Sequence, residues 1–190
     1  GAWDMGTVPD ALPGRQALSD NAARKHWERA WRAHLSPDPG LSVARMMMEA
    51  EKGNLKALYV MGENPVRALP GSHRISMAMK NLKFLVVQDI LETETTRLAD
   101  VVLPGAAFSE KGGSFTNLEG RIQSFEPAIP LPGEAKPDWE ILDLLGKKLG
   151  SWDPYRSIQP IRHEIASLVP GYMDLAGSQG TAWIRETSSS

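Results

Sequence analysis

The sequence predicts an α/β protein, in which a parallel β-sheet carries helices on both faces and is extended by a loop and a β-ribbon. Three apolar runs of strand length, separated by helical patterns, lead to this prediction: Leu55–Met61, Phe84–Val87 and Asp100–Leu103. Runs that are apolar almost throughout are typical of strands buried on both faces. Alternation of strand and helix favours parallel pairing with right-handed crossovers.

Two helices are expected before the sheet. The opening of the chain contains Gly and Pro without hydrophobic periodicity and is predicted to be irregular. Ser19 or Asp20 is suited to cap a first helix, whose apolar side extends to His34. A second helix is predicted to begin at Ser42 and to stop at Gly53.

The other elements follow from capping residues and apolar periodicity. They are a helix opened by Ser72, a short helix over Glu92–Leu98, a loop and β-ribbon within residues 104–136, a helix that begins at Pro137, and a helix capped by Ser157. The tail from Asp174 has no period and is expected to lead toward a further, missing domain. The chain is thus divided into an irregular segment with two helices (1–54), the parallel α/β subdomain (55–150), and a final helix with its tail (151–190).

Composition excludes several classes of function. The net charge of the 190 residues is −2, which gives no electrostatic basis for binding nucleic acid. No apolar run is long enough to span a bilayer, so direct membrane insertion is not expected. The absence of Cys excludes disulfides and Cys-ligated iron–sulfur clusters within these residues. The four His are scattered, so no metal site is predicted.

Ligands of open parallel sheets bind beyond the carboxyl ends of the strands. The loops at that position are Gly62–Pro65, Gln88–Thr95 and Pro104–Asn117. Asp89, directly after a strand, is suited to accept N–H groups from a purine edge, or equally to cap the helix that follows; both interpretations stay open here. Lys111, beside two glycines, suits a phosphate, although composition alone favours a solvated turn.

Two common types of active site find no support in the sequence. No Gly-x-Ser-x-Gly elbow is present, and no Gly-x-Gly-x-x-Gly follows a strand. The residues alone therefore indicate a parallel α/β domain with a nucleotide-like ligand.

Six short segments, in this order and spacing, resemble the molybdopterin oxidoreductase family. They are Ala57–Pro65, Phe84–Ile90, Thr93–Thr95, Ala99–Pro104, Glu110–Asn117 and Pro132–Trp139. The resemblance extends over about residues 1–170. It implies that the chain is a fragment of the large subunit of such an oxidoreductase, inactive alone, with other subunits or domains of a redox complex as partners and a cytoplasmic location, at most peripheral to a membrane.

Two subgroups of the family fit. Asn117–Gln123 resembles the family's member in the NADH–quinone oxidoreductase, respiratory complex I, because formate dehydrogenases more often have Arg where this chain has Gly120. Residues 1–14 instead resemble formate dehydrogenase alpha subunits. The balance slightly favours the complex I type, with electron transfer in the parent complex, and the formate dehydrogenase type is the alternative.

The resemblance also implies a cofactor and its ligands. Gln88, Asp89, Lys111 and Asp138 match positions that hold bis(molybdopterin guanine dinucleotide) in cofactor-bearing members. The iron–sulfur clusters and the ligand of molybdenum or tungsten would lie in a missing amino-terminal part. A hypothesis from another class is a cofactor-free scaffold domain, in which Asp89 and Lys111 are inherited and bind nothing.

Overall fold

A computed structural model describes residues 1–150, 155–176 and 181–183 of the chain. These residues form two compact units, each discontinuous in sequence. The ribbon unit contains Gly1–Ser42, Gly113–Phe125 and the described residues from Tyr155 onward. The sheet unit contains Val43–Gly112 and residues 126–150. The three-part division by sequence stays a prediction.

Short elements make up both units. The α-helices of the described residues are α1 (Asn21–Trp31), α2 (Val43–Glu51), α3 (Pro65–Ala68), α4 (Ser72–Lys80), α5 (Asp138–Leu149) and α6 (Ile158–Leu168). The strands are β1 (Ala11–Leu12), β2 (Gln16–Ala17), β3 (Ala57–Met61), β4 (Phe84–Asp89), β5 (Val101–Pro104), β6 (Gly113–Thr116), β7 (Arg121–Phe125) and β8 (Thr181–Trp183).

The sheet unit is built on a three-stranded parallel sheet in the order β3-β4-β5, which confirms the predicted strands and their direction. One face of the sheet packs against α2 and α4. The core there consists mainly of aliphatic and Met side chains: Met47, Val60, Val66, Ile75, Met79, Leu85 and Val87. Apolar side chains alternate along β3 and β4 toward this face, so each strand contributes every second residue.

The opposite face carries the intervening residues of the same strands. Because Met61 pairs with Gln88 and Tyr59 with Val86, the side chains of Tyr59 and Gln88 lie on this face. Gln88 is hydrogen-bonded to Asp138, the first residue of α5. Helices therefore contact the sheet from both faces, as the sequence predicts.

The ribbon unit contains the antiparallel sheet β6-β7-β8 and the hairpin of β1 and β2. Its core joins residues from three separate stretches of chain: Leu12, Ala23, Trp27, Ile122, Val169, Tyr172 and Leu175. The β-ribbon predicted around Arg121–Phe125 is confirmed, since β6 and β7 pair antiparallel. No strand was predicted in the tail, but Thr181–Trp183 pairs with β7. Residues 177–180 and 184–190 lie outside the described residues.

Two helix predictions need correction. The helix over Glu92–Leu98 is only a single 3-10 turn at Thr96–Leu98. The predicted start of the helix is a turn, in which the hydroxyl of Thr96 accepts the backbone N–H of Thr93 and the hydroxyl of Thr93 accepts the backbone N–H of Thr96. Such local hydrogen bonds compete with helix formation.

The first helix also ends earlier than predicted. Asp20 caps α1 as expected, accepting from the backbone N–H groups of Ala22 and Ala23. Arg32 then adopts a left-handed conformation (φ 51°), which ends the helix before His34. The carboxylate of Glu28 stabilises the turn by accepting the backbone N–H of Leu35 at 3.0 Å.

In the part of the chain that the structure describes, no helix has the length and apolar character needed to cross a membrane.

Candidate cofactor-binding site

The carboxyl ends of β3, β4 and β5 form one edge of the parallel sheet. Beyond the strands, the backbone N–H of Gly62 donates to the backbone carbonyl of Gln88 at 2.8 Å, and the backbone N–H of Gly105 donates to the backbone carbonyl of Asp89 at 2.9 Å. Backbone hydrogen bonding to β4 therefore continues for one residue beyond the ends of β3 and β5, where the chain leaves the sheet. The three polar loops predicted as ligand-binding all leave the sheet at this edge.

A distant segment reaches the same edge by extending the pairing. Gly105 forms an isolated parallel bridge with Lys136, and Lys136 accepts from the N–H of Ala106 at 2.9 Å. Pro137 follows and α5 begins at once, so Asp138 is placed beside the end of β4. A Cβ at Gly105 would lie 3.4 Å from the Asp138 carboxylate and 3.6 Å from the Asp89 carbonyl oxygen, which are ordinary contact distances, so Gly105 lies directly beside both residues.

A continuous hydrogen-bonded network joins Tyr59, Gln88, Asp138 and Lys111. The hydroxyl of Tyr59 donates to Oε1 of Gln88. Nε2 of Gln88 donates to Oδ1 of Asp138 at 2.6 Å, and Nζ of Lys111 donates to Oδ2. The network therefore unites three of the four residues expected from the sequence, and it adds Tyr59.

Both ends of this network reach solvent, while its middle is buried. Tyr59 is 38% exposed at one end. Gln88 is only 1% exposed, whereas the side chains of Lys111 and Asp138 are 19% and 37% exposed. Burial, followed by the negative charge of Asp138, raises the pKa of Tyr59. Tyr59 is thus a hydrogen-bond donor at any ordinary pH, and the charged end of the network is open to a ligand.

Asp89 does not belong to the network, because neighbouring residues of a strand point to opposite faces. Its Oδ1 accepts the backbone N–H of the next residue, Ile90, at 2.7 Å. It does not cap the helix that follows, since the N-cap of that 3-10 turn is Thr95. Of the two interpretations left open by the sequence, the helix cap is therefore wrong.

Two open cavities of about 490 and 360 Å³ adjoin at this edge, and both are lined by Ile90, Leu91 and Pro104. Asp89 lines the smaller one, and Gly105 lines the larger. Volumes of this order suit parts of a nucleotide. The exposed pair Ile90–Leu91 was missed by sequence reasoning; two large apolar residues directly after a buried strand were the available signal.

Hydrogen bonds join the loop that follows β3 to the loop that follows β4. Oγ1 of Thr95, which is fully buried, donates to Asn64 at 2.7 Å and accepts from the N–H of Val66 at 3.3 Å. Asn64 also donates to Glu94 at 2.7 Å, and this hydrogen bond is the main cause that lowers the pKa of Glu94. Sequence reasoning missed this contact between the loops, although polar residues after neighbouring strands are the kind of signal that indicates one.

The chemistry of the edge fits a guanine dinucleotide. A carboxylate at a cavity can accept N–H groups of a purine, a lysine can attract a pyrophosphate, and two exposed aliphatic side chains can contact a base or sugar. Among the described residues, no three His, Asp or Glu side chains are grouped as metal ligands.

Comparisons with known proteins give the family context. The family model described as molybdopterin oxidoreductase matches residues 14–148. The chain is 45% identical over 174 residues to the F420-dependent formate dehydrogenase subunit alpha of Methanocaldococcus jannaschii, covering 90% of this chain and 25% of that protein. It is 40% identical to the F420-dependent formate dehydrogenase 1 subunit alpha of Methanococcus maripaludis, covering 96% and 28%.

A third relative is the NADPH-Fe(3+) oxidoreductase subunit alpha of Geobacter sulfurreducens, 35% identical over 95% of this chain and 21% of that protein. Among solved structures, acetylene hydratase from Pelobacter acetylenicus matches with a TM-score of 0.63 over 96% of this chain and 26% of that chain. At 17% identity, that match shows the fold alone. The chain spans about a quarter of the length of the curated relatives it matches.

These relatives favour the formate dehydrogenase alternative over the complex I type. The sequence preference for the complex I type depended on Gly120. In the structure, Gly120 lies in the turn between β6 and β7 with φ at +82°. A left-handed position favours glycine for steric reasons in any subgroup, so Gly120 carries little information about function.

Proposed function

Because the chain belongs to the molybdopterin oxidoreductase family, we propose that it is the part of a formate dehydrogenase-type α subunit that binds the guanine end of a molybdopterin guanine dinucleotide. The observation that carries the proposal is the sheet edge, where Asp89 lines a cavity and Lys111 is held in place by Asp138. When bound, such a cofactor supplies the redox chemistry. The residues of this chain bind and orient it, and the chain alone has no turnover.

In this proposal Asp89 recognises the base. Its Oδ1 is held by the N–H of Ile90, and its Oδ2 has no partner among the residues the structure describes. A carboxylate accepts the two adjacent N–H groups of a guanine edge, and such charge-assisted hydrogen bonds contribute about 1.5–3 kcal/mol. An adenine edge offers a different arrangement of donors, so Asp89 also provides selectivity.

Lys111 is the cation for the pyrophosphate, and Asp138 and Gln88 act through it. Asp138 fixes the ammonium group, and Gln88 fixes the carboxylate of Asp138 from the buried side. A pyrophosphate would share the ammonium group with Asp138. The lysine is therefore positioned before the ligand binds, which reduces the entropic cost of binding.

The surroundings of the chain are part of the same proposal. The three relatives reported above are all named alpha subunits, which makes other subunits of a redox complex the expected partners. With no Cys among its 190 residues, this chain offers no thiolate ligand, so iron–sulfur clusters and the metal ligand are assigned to other parts of the protein. A cytoplasmic location stays a prediction from the resemblance.

One observation favours a second candidate, a scaffold domain without cofactor. Lys111 and Asp138 neutralise each other, and Gln88 is satisfied by Tyr59 and Asp138, so most polar groups of the edge are paired without a ligand. Asp89 distinguishes the two candidates, because its second carboxylate oxygen has no partner among the described residues and would accept from a base only if the cofactor is bound.

The test uses the full-length α subunit, produced with its partner subunits in a host that makes the cofactor. Guanine released by acid and molybdenum or tungsten are measured per chain, and the rate of cofactor loss is followed in dilute solution. Asp89→Asn is expected to weaken cofactor binding about ten- to hundredfold.

Glu92→Gln is the matched control, because Glu92 lines the same cavity but is exposed and paired with Arg97. It should leave cofactor content unchanged. A wild-type protein without guanine, or an Asp89→Asn variant that retains the cofactor as well as the wild type, would refute the proposal.

A further inference from the structure

We propose that Tyr59 is a positioning residue for the cofactor site: through Gln88 it fixes the carboxylate that holds Lys111. The inference rests on the proposed function and adds a residue that lies inside a strand rather than in one of the loops at its end. Among the described residues, the hydroxyl of Tyr59 is hydrogen-bonded to Gln88 and not to Asp138 or Lys111, so we expect its effect to pass through the amide of Gln88.

The register of the sheet brings the two side chains together. Tyr59 pairs with Val86, and Gln88 is two residues further along β4 on the same face. A tyrosine side chain is long enough to reach along the sheet to the next position of that face. Its hydroxyl donates to Gln88 Oε1.

The direction of the hydrogen bonds is fixed from both ends. A carboxylate can only accept, so Asp138 requires the NH₂ group of Gln88. The oxygen of the amide must then face the other way, where only a donor can satisfy it. Tyr59 stays protonated because burial and the charge of Asp138 raise its pKa, so it is that donor.

The hydrogen bond from Tyr59 matters because Gln88 is buried. Gln88 is 1% exposed, and an amide oxygen left there without a donor is costly. Without the hydroxyl, the side chain must turn toward another donor or admit a water molecule. Either change moves Nε2 away from its 2.6 Å contact with Asp138 and leaves that carboxylate held by Lys111 alone.

The experiment is a double-mutant cycle in the full-length, cofactor-loaded subunit complex, with Tyr59→Phe, Gln88→Met and the double variant. Phe keeps the aromatic ring and removes only the hydroxyl. The rate of guanine cofactor release and the melting temperature are both measured. Tyr59→Phe should speed release about two- to tenfold, the effect expected for one hydrogen bond, and should add nothing further in the Gln88→Met background.

Tyr155→Phe is the control, because it also removes a phenolic hydrogen bond, to Glu164, but in the ribbon unit. It should not change release. Equal effects of Tyr59→Phe with and without Gln88, or a lower melting temperature with unchanged release, would overturn the positioning role while leaving the proposed function intact. A wild-type complex that contains no guanine would overturn both.

Discussion

Each unit contains a carboxylate that accepts hydrogen bonds from a basic side chain and is linked to a tyrosine, but the two carboxylates lie in different environments. In the ribbon unit, Asp4 accepts from Arg15 and from the hydroxyl of Tyr172 at 2.9 Å, and its side chain is 3% exposed. In the sheet unit, Asp138 accepts from Lys111 and Gln88, and its side chain is 37% exposed. The same kinds of groups are buried in one case and open to solvent in the other.

The difference separates a structural role from the binding role that we propose for Asp138 and Lys111. A buried carboxylate that loses its donors incurs the full desolvation cost, so the Asp4 cluster is built for stability. Tyr172 extends this cluster to Thr116 at 3.0 Å, which ties together the three stretches of chain that form the ribbon unit. Asp138 contributes little to stability by comparison, because water can replace its partners. In the proposed function, its role is to position Lys111.

The largest effect is expected for Asp4→Ala. Burial raises the pKa of Asp4, but the hydrogen bonds from Arg15 and Tyr172 act in the opposite direction, and the pKa is lowered overall. Removing the carboxylate leaves the buried Tyr172 hydroxyl without its charged acceptor and should lower the free energy of unfolding by about 3 kcal/mol. Urea denaturation measures the loss. Asp10→Asn, at an exposed position, is the control, and a loss below about 1 kcal/mol for Asp4→Ala would mean that the cluster is not structural.

The second effect is a dependence of stability on alkaline pH. Burial, followed by the contact with Asp4, raises the pKa of Tyr172 to about 12. The unfolded chain has an ordinary tyrosine pKa of about 10 and therefore loses its proton first, so this contribution is complete below pH ~10 and is lost as the pH rises toward 12. The loss should amount to about 2–3 kcal/mol.

Tyr172→Phe should remove that part of the pH dependence, while Tyr59→Phe should remove much less of it. The free energy of unfolding is measured from about pH 9 to 12 for all three proteins, a range that brackets the two pKa values. Curves of equal slope for the wild type and Tyr172→Phe would show that Tyr172 does not titrate with a raised pKa.

Much of the sheet unit could be predicted from the sequence, because each of its strands is encoded by one run of consecutive apolar residues. Three apolar runs specify buried strands, and their order specifies parallel pairing. The carboxyl edge and the approximate membership of Gln88, Lys111 and Asp138 follow from the strand ends and the family resemblance. Tyr59 could not be found in this way, since its role depends on the register between β3 and β4, which no single run of residues reveals.

The ribbon unit was much less predictable. Its central hydrogen bond joins residues 168 positions apart, Asp4 and Tyr172, and neither belongs to a periodic pattern. The separation of Asp89 from the network has another reason. Side chains alternate along β4, so Asp89 and Gln88 lie on opposite faces of the sheet. Two adjacent residues that the sequence assigned to one site therefore lie on different faces at the same edge.

The smallest effect on stability, and the sharpest contrast with Asp4, is expected for Lys111→Met. Met keeps the apolar stem of the side chain and removes its charge, while Asp138 keeps its hydrogen bond from Gln88 and gains access to water. The free energy of unfolding should therefore change by less than about 1 kcal/mol, as for other partly exposed ion pairs. In the loaded full-length complex the same change should weaken cofactor binding about tenfold or more, because a charge-assisted bond to the pyrophosphate is lost. Lys136→Met is the matched control, since Lys136 lies at the same edge but pairs with Glu140 on the surface of α5. A large loss of stability without loss of cofactor would place Asp138 and Lys111 in the same structural class as Asp4, and the contrast between the two units would no longer hold.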